Sequence, residues 1–204
     1  MSKITNLSIQ KNNKNRCNIF IDGDFFIGVP IEIVYSYSLR VGQQIEKDKL
    51  KEIAIEKDKI EIVEKAVSYI SKYLKTKKQL KEYLLKKGYS SEVVFYCIDK
   101  LKEYGLIDDE NYAKRYIESS AKTQGKNLLN YKLLMKGVKK QDIENAYSSL
   151  DIDSKENAKA LAEKRLKNKE ITKENISKTY RYLISKGFTY EDANYAISSF
   201  KEED

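Results

Sequence analysis

Hydrophobic and polar residues follow one another in two different ways along the chain, and the change falls near residue 45. Before it, β-branched and aromatic residues stand in short runs, which is typical of strands. After it, apolar residues recur every three or four positions between Lys and Glu, the period of a helix that packs one face on a core. The pattern therefore predicts a small N-terminal part with strands, followed by a helical chain.

The N-terminal part carries a β-hairpin signal. Residues 17–21 (CNIFI) and 24–29 (DFFIGV) have the composition of two strands. Asp22-Gly23 between them readily adopts the positive φ angles of a type I′ turn. Apolar positions within residues 4–9 predict a third strand beside this hairpin.

Two helical segments are predicted between the hairpin and the rest of the chain. Pro30, the only proline, suits the first turn of a short helix that continues to Leu39, because the missing proline N–H has no helical partner there in any case. Val41-Gly42 would end that helix. The highly charged stretch of residues 45–66 predicts either one long helix or two shorter ones, and the pattern leaves both open.

An internal repeat is the most informative feature of the sequence. Gly88, Gly137 and Gly187 each follow a Lys and precede an apolar residue, and they lie 49 and 50 residues apart. Beyond each glycine, apolar residues recur with the spacing of one helix face. Each unit therefore predicts three helices, with the glycine in the left-handed conformation after the second helix. The first helices are expected near residues 63–74, 110–120 and 155–167.

These patterns predict a mainly α fold, with tandem three-helix, helix-turn-helix-like repeats in an elongated array after a small α+β domain that contains the hairpin. The predicted domains are the N-terminal domain at 1–45, a helical connector at 46–65, and three-helix repeats at 66–107, 108–153 and 154–204.

Composition removes most catalytic chemistry. The 204-residue chain has no His, which is the usual general base and the commonest zinc ligand. Cys17 and Cys97 stand in apolar surroundings without a CxxC partner, which predicts reduced core thiols. The sequence also lacks a phosphate-binding loop of the G-x-x-x-x-G-K-[ST] type. We therefore expect a protein that is not an enzyme, with no cofactor and no metal site.

The acidic pair Asp108-Asp109 could in principle hold a metal or act as acid and base. It follows a Gly-containing turn and precedes a helical pattern, where Asp caps free backbone N–H groups and interacts favourably with the helix dipole. We therefore assign Asp108 and Asp109 to structural capping, like the three turn glycines. A protein contact and catalysis are the alternatives.

The net charge is +8, and the basic residues cluster. Residues 72–87 contain seven lysines and one acid, and residues 114–140 contain eight basic residues and one acid. Such helices can present Lys to phosphate oxygens or to an acidic protein surface, with an ordinary solubilising surface as the alternative. The candidate contacts to DNA or a protein partner are Lys75, Lys77, Lys78, Lys86, Lys87, Lys114, Arg115, Lys122, Lys126, Lys132, Lys136, Lys139 and Lys140.

Sixteen tyrosines stand among these lysines, a combination that is also found where single strands stack on aromatic rings. Their spacing favours packing instead. Tyr69 and Tyr73 are four residues apart, as are Tyr112 and Tyr116, which places each pair on one helix face. We expect most of these rings to be at least partly buried.

The segment YGLIDDENYAKRYI at residues 104–117, the tandem units and the Leu-Leu-x-Lys-Gly-Val turn of the middle unit resemble the RecX family, bacterial regulators of the RecA recombinase. IFIDGDFFIGV at residues 19–29 resembles the N-terminal extension of some members. The resemblance implies binding to RecA and its nucleoprotein filament, with inhibition of ATP hydrolysis and strand exchange. It thereby implies a role in recombination and DNA repair, with single- or double-stranded DNA as a further candidate partner.

A stand-alone DNA- or RNA-binding helical-repeat protein is the alternative from another functional class. The first residues contain no continuous apolar stretch of the kind found in secretory signals, so we expect a cytoplasmic protein without membrane contact. We also expect a monomer.

Overall fold

The structure is a computed structural model that describes residues 2–200. It divides into two compact units, one that ends at Asp108 and one that begins at Asp109. The described residues form one N-terminal antiparallel sheet and, mostly, helices, which confirms the predicted class of an α-rich fold with a small N-terminal sheet. No helix in this range is both long and apolar enough to cross a membrane.

The elements follow in chain order. The first unit contains β1 (Ser2–Gln10), β2 (Asn13–Ile21), β3 (Asp24–Pro30), α1 (Ile31–Ser36), β4 (Gln44–Ile45), α2 (Lys47–Ile70), α3 (Lys77–Lys86) and α4 (Ser91–Glu103). The second unit contains α5 (Asp109–Ser120), α6 (Lys126–Met135), α7 (Lys140–Ser148), α8 (Ser154–Leu166), α9 (Lys173–Ser185) and α10 (Tyr190–Ser198).

The N-terminal sheet has four antiparallel strands in the order β3-β2-β1-β4. The hairpin of β2 and β3 turns at Asp22 and Gly23, whose φ angles of +56° and +99° have the signs of the predicted type I′ turn. β1 is the predicted third strand. The two-residue β4 is too short to show a pattern in the sequence. Ile4, Ile19 and Val29 are fully buried and form the core face of the sheet.

Helix α1 ends earlier than the sequence predicts. Pro30 stands directly before it, as expected, but the helix ends at Ser36 instead of continuing to Leu39. Ser38 adopts a left-handed φ of +47°, and the Leu39 N–H donates to the Val34 carbonyl at 2.9 Å. Leu39 is therefore the buried apolar residue of a helix C-terminal cap rather than a residue of the helix.

Helix α2 is a single helix of 24 residues, which decides between the two arrangements that the sequence left open. Its N-terminal half buries Leu50 and Ala54 against the sheet. Its C-terminal half buries Ile62 and Ala66 in the core of the first repeat, with α3 and α4. The boundary expected after residue 65 falls inside this helix, so the N-terminal domain and the first repeat share one continuous element.

Three turns of the same kind follow α3, α6 and α9. Gly88, Gly137 and Gly187 have φ angles of +90°, +86° and +84°. The residue after each glycine is buried, and its N–H donates to the carbonyl oxygen five residues earlier. This is the left-handed cap that closes a helix and packs the next apolar side chain back on its last turn.

Side-chain caps set the starts of five helices. The caps are Thr76, Ser90, Asp153, Thr172 and Thr189, and each accepts a hydrogen bond from the backbone N–H three residues later. These bonds satisfy N–H groups that a helix start otherwise leaves without a partner.

Backbone hydrogen bonds join the second and third repeats within the second unit. The N–H of Gly125 donates to the Lys186 carbonyl at 2.9 Å, and the N–H of Asn127 donates to the Gly187 carbonyl at 3.0 Å. Free N–H groups at the start of α6 are thus satisfied by free carbonyls at the end of α9. A Cβ at Gly125 would collide with the backbone of Phe188, so this approach requires glycine.

Candidate functional site

The basic cluster of the first repeat lies beside a pair of stacked tyrosines. The rings of Tyr69 and Tyr83 are parallel, with centroids 3.8 Å apart and an interplanar angle of 3°. Lys75 lies over Tyr69 and Tyr73 at 5.4 and 5.6 Å, and Lys87 lies 5.5 Å from the Tyr83 centroid. These distances are those of cation–π contacts, which hold the ammonium groups over the rings.

The tyrosine pairing differs from the sequence prediction in this repeat. Tyr73 lies beyond the end of α2 and is 75% exposed, because the helix stops at Ile70. Tyr69 therefore stacks on Tyr83 of α3 rather than sharing a face with Tyr73. The lysines Lys78 and Lys86 on α3 are exposed, and Lys77 is half-buried.

The two lysines of α6 and its C-cap Lys136 point to different neighbours. Lys126 lies 5.0 Å from the Tyr147 ring of α7, and Lys136 lies 5.6 Å from the Tyr116 ring of α5. Lys132 instead lines a cavity that also contains residues of the third repeat. The structure thus separates three side chains that the sequence analysis treated as one basic cluster.

The other basic candidates of the second repeat lie at its surface. Lys140 pairs with Glu144 at 3.6 Å, in a bridge whose two side chains are both exposed. Lys114 is half-buried, and the exposed candidates are Arg115, Lys122, Lys139 and Lys140. The predicted pair Tyr112 and Tyr116 does share one helix face, with near-parallel rings 6.2 Å apart.

An exposed apolar surface on α6 was not anticipated from the sequence. Tyr131, Leu134 and Met135 are 60%, 50% and 60% exposed. They lie at helical positions that share a side of α6 away from the buried Leu129 and Leu133. The signal was present in the sequence, since three apolar residues fall outside the periodic core face. We call Tyr131, Leu134 and Met135 the α6 apolar surface.

The acidic pair stands at the start of α5. Asp108 is exposed and directly precedes the helix, and Asp109 is its first residue and is buried. Burial raises the pKa of Tyr112 on the same helix, and the charge of Asp109 raises it further. An Asp at this position suits the positive end of the helix dipole.

The two cysteines are core thiols. Cys17 and Cys97 are free and buried, and burial raises the pKa of both, that of Cys97 to about 11. A thiol with such a pKa is protonated at neutral pH and is a weak nucleophile and metal ligand. Among residues 2–200, no three His, Cys, Asp or Glu side chains are grouped so that they could hold a metal ion.

Family models match the chain in four successive segments. The Regulatory protein RecX N-terminal domain matches residues 2–46, and the first, second and third three-helix domains of RecX match residues 63–101, 108–146 and 151–197. The chain belongs to the RecX family. The RecX segments include the hairpin at residues 19–29 and, from residue 108 onward, the stretch at residues 104–117 that carried the resemblance.

Relatives agree over nearly the whole length. The Regulatory protein RecX of Clostridium botulinum (strain Alaska E43 / Type E3) is 39% identical over 196 residues, which cover 94% of this chain and 92% of the relative. That of Clostridioides difficile (strain 630) is 34% identical over 196 residues, with the same coverage. A crystal structure of regulatory protein RecX matches with a TM-score of 0.64 and 25% identity, over 98% of this chain and 100% of that one.

A second RecX crystal structure, from Lactobacillus salivarius, matches 71% of this chain and 97% of its own, again with a TM-score of 0.64 and 25% identity. The RecX family is therefore supported by both sequence and fold. It is a family of regulatory proteins by name.

Proposed function

We propose that this protein binds RecA and the RecA–DNA filament and restrains ATP hydrolysis and strand exchange, so that it modulates recombination and DNA repair. The observation that carries the proposal is the succession of four RecX domains in one chain. Several shallow contacts on separate modules act together through effective concentration, which suits binding to a filament of repeating subunits.

The α6 apolar surface favours a protein partner over phosphate contacts alone. Tyr and Met are enriched in protein interfaces, and Arg and aromatic residues dominate their energetics. Tyr131 and Met135 are exposed side chains of this kind. A surface that bound only the nucleic-acid backbone would need the cations without the exposed apolar side chains.

We further propose a regulatory role without catalysis, in the cytoplasm. The chain lacks His, and its thiols are buried and protonated at neutral pH. Cations and rings of the first two repeats contact one another, as Lys75 does Tyr69 and Lys126 does Tyr147.

The alternative is a DNA- or RNA-binding protein that acts alone, which the lysine-rich α3 and the basic residues within 114–140 favour. In that case, affinity for nucleic acid would account for every effect on RecA, because the protein would simply cover the DNA.

The experiment is a titration of RecA ATPase on single-stranded DNA with less protein than is needed to cover the DNA. The wild-type protein is expected to inhibit. Tyr131→Ala with Met135→Ala should weaken inhibition about fivefold or more, a loss of about 1 kcal/mol. The control, Ile171→Ala with Tyr190→Ala, removes two exposed apolar side chains elsewhere in the same unit and should change inhibition less than twofold.

Affinity for a labelled oligonucleotide, measured without RecA, distinguishes a RecA regulator from a stand-alone nucleic-acid-binding protein. A regulator directed at the filament keeps its oligonucleotide affinity in the Tyr131 and Met135 variant while it loses inhibition. If inhibition instead appears only when the DNA is covered, and follows oligonucleotide affinity in every variant, the RecA proposal is wrong and the stand-alone alternative holds.

A further inference from the structure

A cavity of about 520 Å³ lies between the second and third repeats, inside the second unit. Five cationic side chains line it, and its lining contains no carboxylate. These side chains are Lys132, Lys164, Arg165, Lys169 and Lys186. Four of them belong to the third repeat and were not among the basic candidates of the sequence analysis. We call this cavity the repeat junction pocket.

Backbone hydrogen bonds hold the frame of the pocket together. The hydrogen bonds from the Gly125 and Asn127 N–H groups to the Lys186 and Gly187 carbonyls fix the start of α6 against the end of α9. This brings the end of α8, the end of α9 and the middle of α6 to one place. Cations in the last turn of a helix interact favourably with its dipole, but that effect does not make cations from three helices converge.

The pocket cations have no ion-pair partner among the described residues. Across residues 2–200, none of the five cations forms a salt bridge. Two other lysines on α8 and α9 form salt bridges: Lys155 pairs with Glu191 at 2.6 Å, and Lys178 pairs with Glu174 at 2.6 Å. Cations held together without an acid repel one another, and a bound anion would remove that repulsion.

The Tyr182 ring positions the guanidinium of Arg165 in the pocket. Its guanidinium lies 4.1 Å from the centroid of the Tyr182 ring, and Lys186 lies 5.3 Å from the same ring. Stacking on a ring leaves the N–H groups at the guanidinium edge directed away from the ring. The Nε atom of Arg165 is buried and has no hydrogen-bond acceptor among the described residues. An unpaired buried donor of this kind is costly unless a ligand supplies the acceptor.

A second polar group stands beside Lys132. Its Nζ donates to Gln124 Oε1 at 2.6 Å, and both side chains line the pocket. This bond fixes Lys132 on the pocket side of α6. The Gln124 amide nitrogen remains as a neutral donor next to the cations.

We propose that the repeat junction pocket binds linked phosphate groups, carried either by a nucleic-acid strand or by a free polyphosphate. An Arg fork with several lysines is the donor set that recognises phosphate oxygens. The volume exceeds what one phosphate fills and lies within the range of sites for larger ligands. Linked phosphates carry one charge per group at close spacing, which matches five cations better than the sparser carboxylates of a peptide.

The test uses the full chain and two variants that each lose two positive charges. Lys164→Gln with Lys169→Gln removes two exposed cations of the pocket. Lys159→Gln with Lys167→Gln removes two lysines of the same region that do not line it. Binding of fluorescein-labelled oligothymidylate is measured by anisotropy over a range of salt, and binding of tripolyphosphate is measured by the rise in melting temperature.

If a strand occupies the pocket, the pocket variant should bind oligothymidylate about tenfold more weakly. Its slope of log affinity against log salt should also shrink by about 1.4, since each phosphate contact to a single strand contributes about 0.7. The control variant should change less than twofold. If a free polyphosphate is the ligand, tripolyphosphate should stabilise the wild type and the control but not the pocket variant, with equal oligothymidylate affinity in all three.

Two outcomes would overturn the proposal. In one, both variants lose the same affinity for both probes, which would mean that only diffuse charge acts. In the other, neither probe distinguishes the two variants from the wild type, which would mean that the pocket binds no phosphate groups. None of these results depends on RecA, so the failure of this proposal and that of the proposed function can be told apart.

Arg165→Lys adds a test of the guanidinium fork at constant charge. The expected result is a loss of phosphate binding of about fivefold or more with an unchanged salt slope, because Lys offers a point charge without the paired donors. Equal binding by this variant and the wild type would assign the pocket to charge alone and contradict the role of the fork.

Discussion

The Arg16 guanidinium donates to both carboxylate oxygens of Asp58, at 2.5 and 2.8 Å, across 42 positions of sequence. Both side chains are buried. Arg16 also donates to the Gly28 carbonyl at 2.8 Å and lies 4.5 Å from the Tyr89 ring centroid. A residue of β2 thus contacts β3, α2 and the turn after α3, and the N-terminal sheet and the first repeat are tied together at one side chain.

Loss of either partner of this pair should destabilise the first unit, but unequally. Burial raises the pKa of the Asp58 carboxyl, and Arg16 opposes this effect. Without Arg16, the carboxyl can take up a proton, whereas an Arg without its partner stays charged. Asp58→Ala should therefore cost about 3–5 kcal/mol in urea unfolding, more than Arg16→Met.

The stability of Arg16→Met should depend on pH in a definite direction, because the Asp58 carboxyl remains buried without its partner. A raised carboxyl pKa means that the folded state binds the proton more tightly than the unfolded chain. Stability then falls as the pH rises above the ordinary Asp value, so Arg16→Met should lose more stability than the wild type between about pH 4 and pH 7. Glu32→Ala, which removes the exposed bridge to Lys57, is the control and should leave the unfolding midpoint unchanged. Equal costs for the Asp58, Arg16 and Glu32 variants would contradict this account.

Three glycines allow the cost of a positive φ to be compared with the cost of a close backbone approach. Gly105 has a φ of +64° with open space at its Cβ position, and Gly125 has an ordinary φ but lies against the Phe188 backbone. Gly187 has both features, a φ of +84° and a collision of its Cβ with Leu128. Replacement by Ala should thus cost about 1 kcal/mol at Gly105 and more at Gly187, as measured by urea unfolding.

Gly125→Ala should also weaken the contact between the second and third repeats. Its φ is ordinary, so the effect comes from the steric collision alone. Its expected signature is loss of hydrogen-exchange protection at the N–H groups of Gly125 and Asn127. If Gly105→Ala and Gly187→Ala cost the same, the close approach at the repeat junction makes no contribution.

Cys97 should make stability depend on alkaline pH. Its pKa is about 11 in the folded protein against an ordinary 9.0, because the thiol is buried. Between these values the unfolded chain gives up the proton and the folded chain keeps it, so stability falls as the pH rises. The loss contributed by this group is about 2 kcal/mol by pH 11.

The comparison is with Cys97→Ala, which keeps all other alkaline titrations, including that of Tyr147 with its pKa of about 12. The stability of the variant relative to the wild type should improve steadily from pH 9 to pH 11. A constant difference over this range would show that the Cys97 thiol is not protected from ionisation.

The sequence predicts the elements of this fold well where the signal is local. Asp22-Gly23 specifies its turn by its own φ preferences, and the three Lys-Gly turns repeat at near-constant spacing. Arg16 gave no such signal, because its partner Asp58 is distant in sequence. Leu39 misled the prediction because an apolar residue fits a helix face and a C-terminal cap equally well.

The candidate site was predicted less well, since the direction in which a side chain points depends on the packing of the helices. Counting charges found the lysines of α6 but could not tell that Lys126 turns to α7 and Lys132 to the third repeat. Lys164 and Lys169 escaped notice because acids stand next to them in sequence, while only cations meet in the folded pocket.

The continuity of α2 restricts how this region of the chain can vary in evolution. Each residue of a helix adds about 100° of rotation and 1.5 Å of rise. One residue inserted between Ala54 and Ile62 would rotate the sheet-facing side against the repeat-facing side, so that one of the two apolar faces would point to solvent. Insertions and deletions in this helix are thus tolerable only in steps near a whole number of turns, whereas the loop between α1 and β4 carries no such restriction.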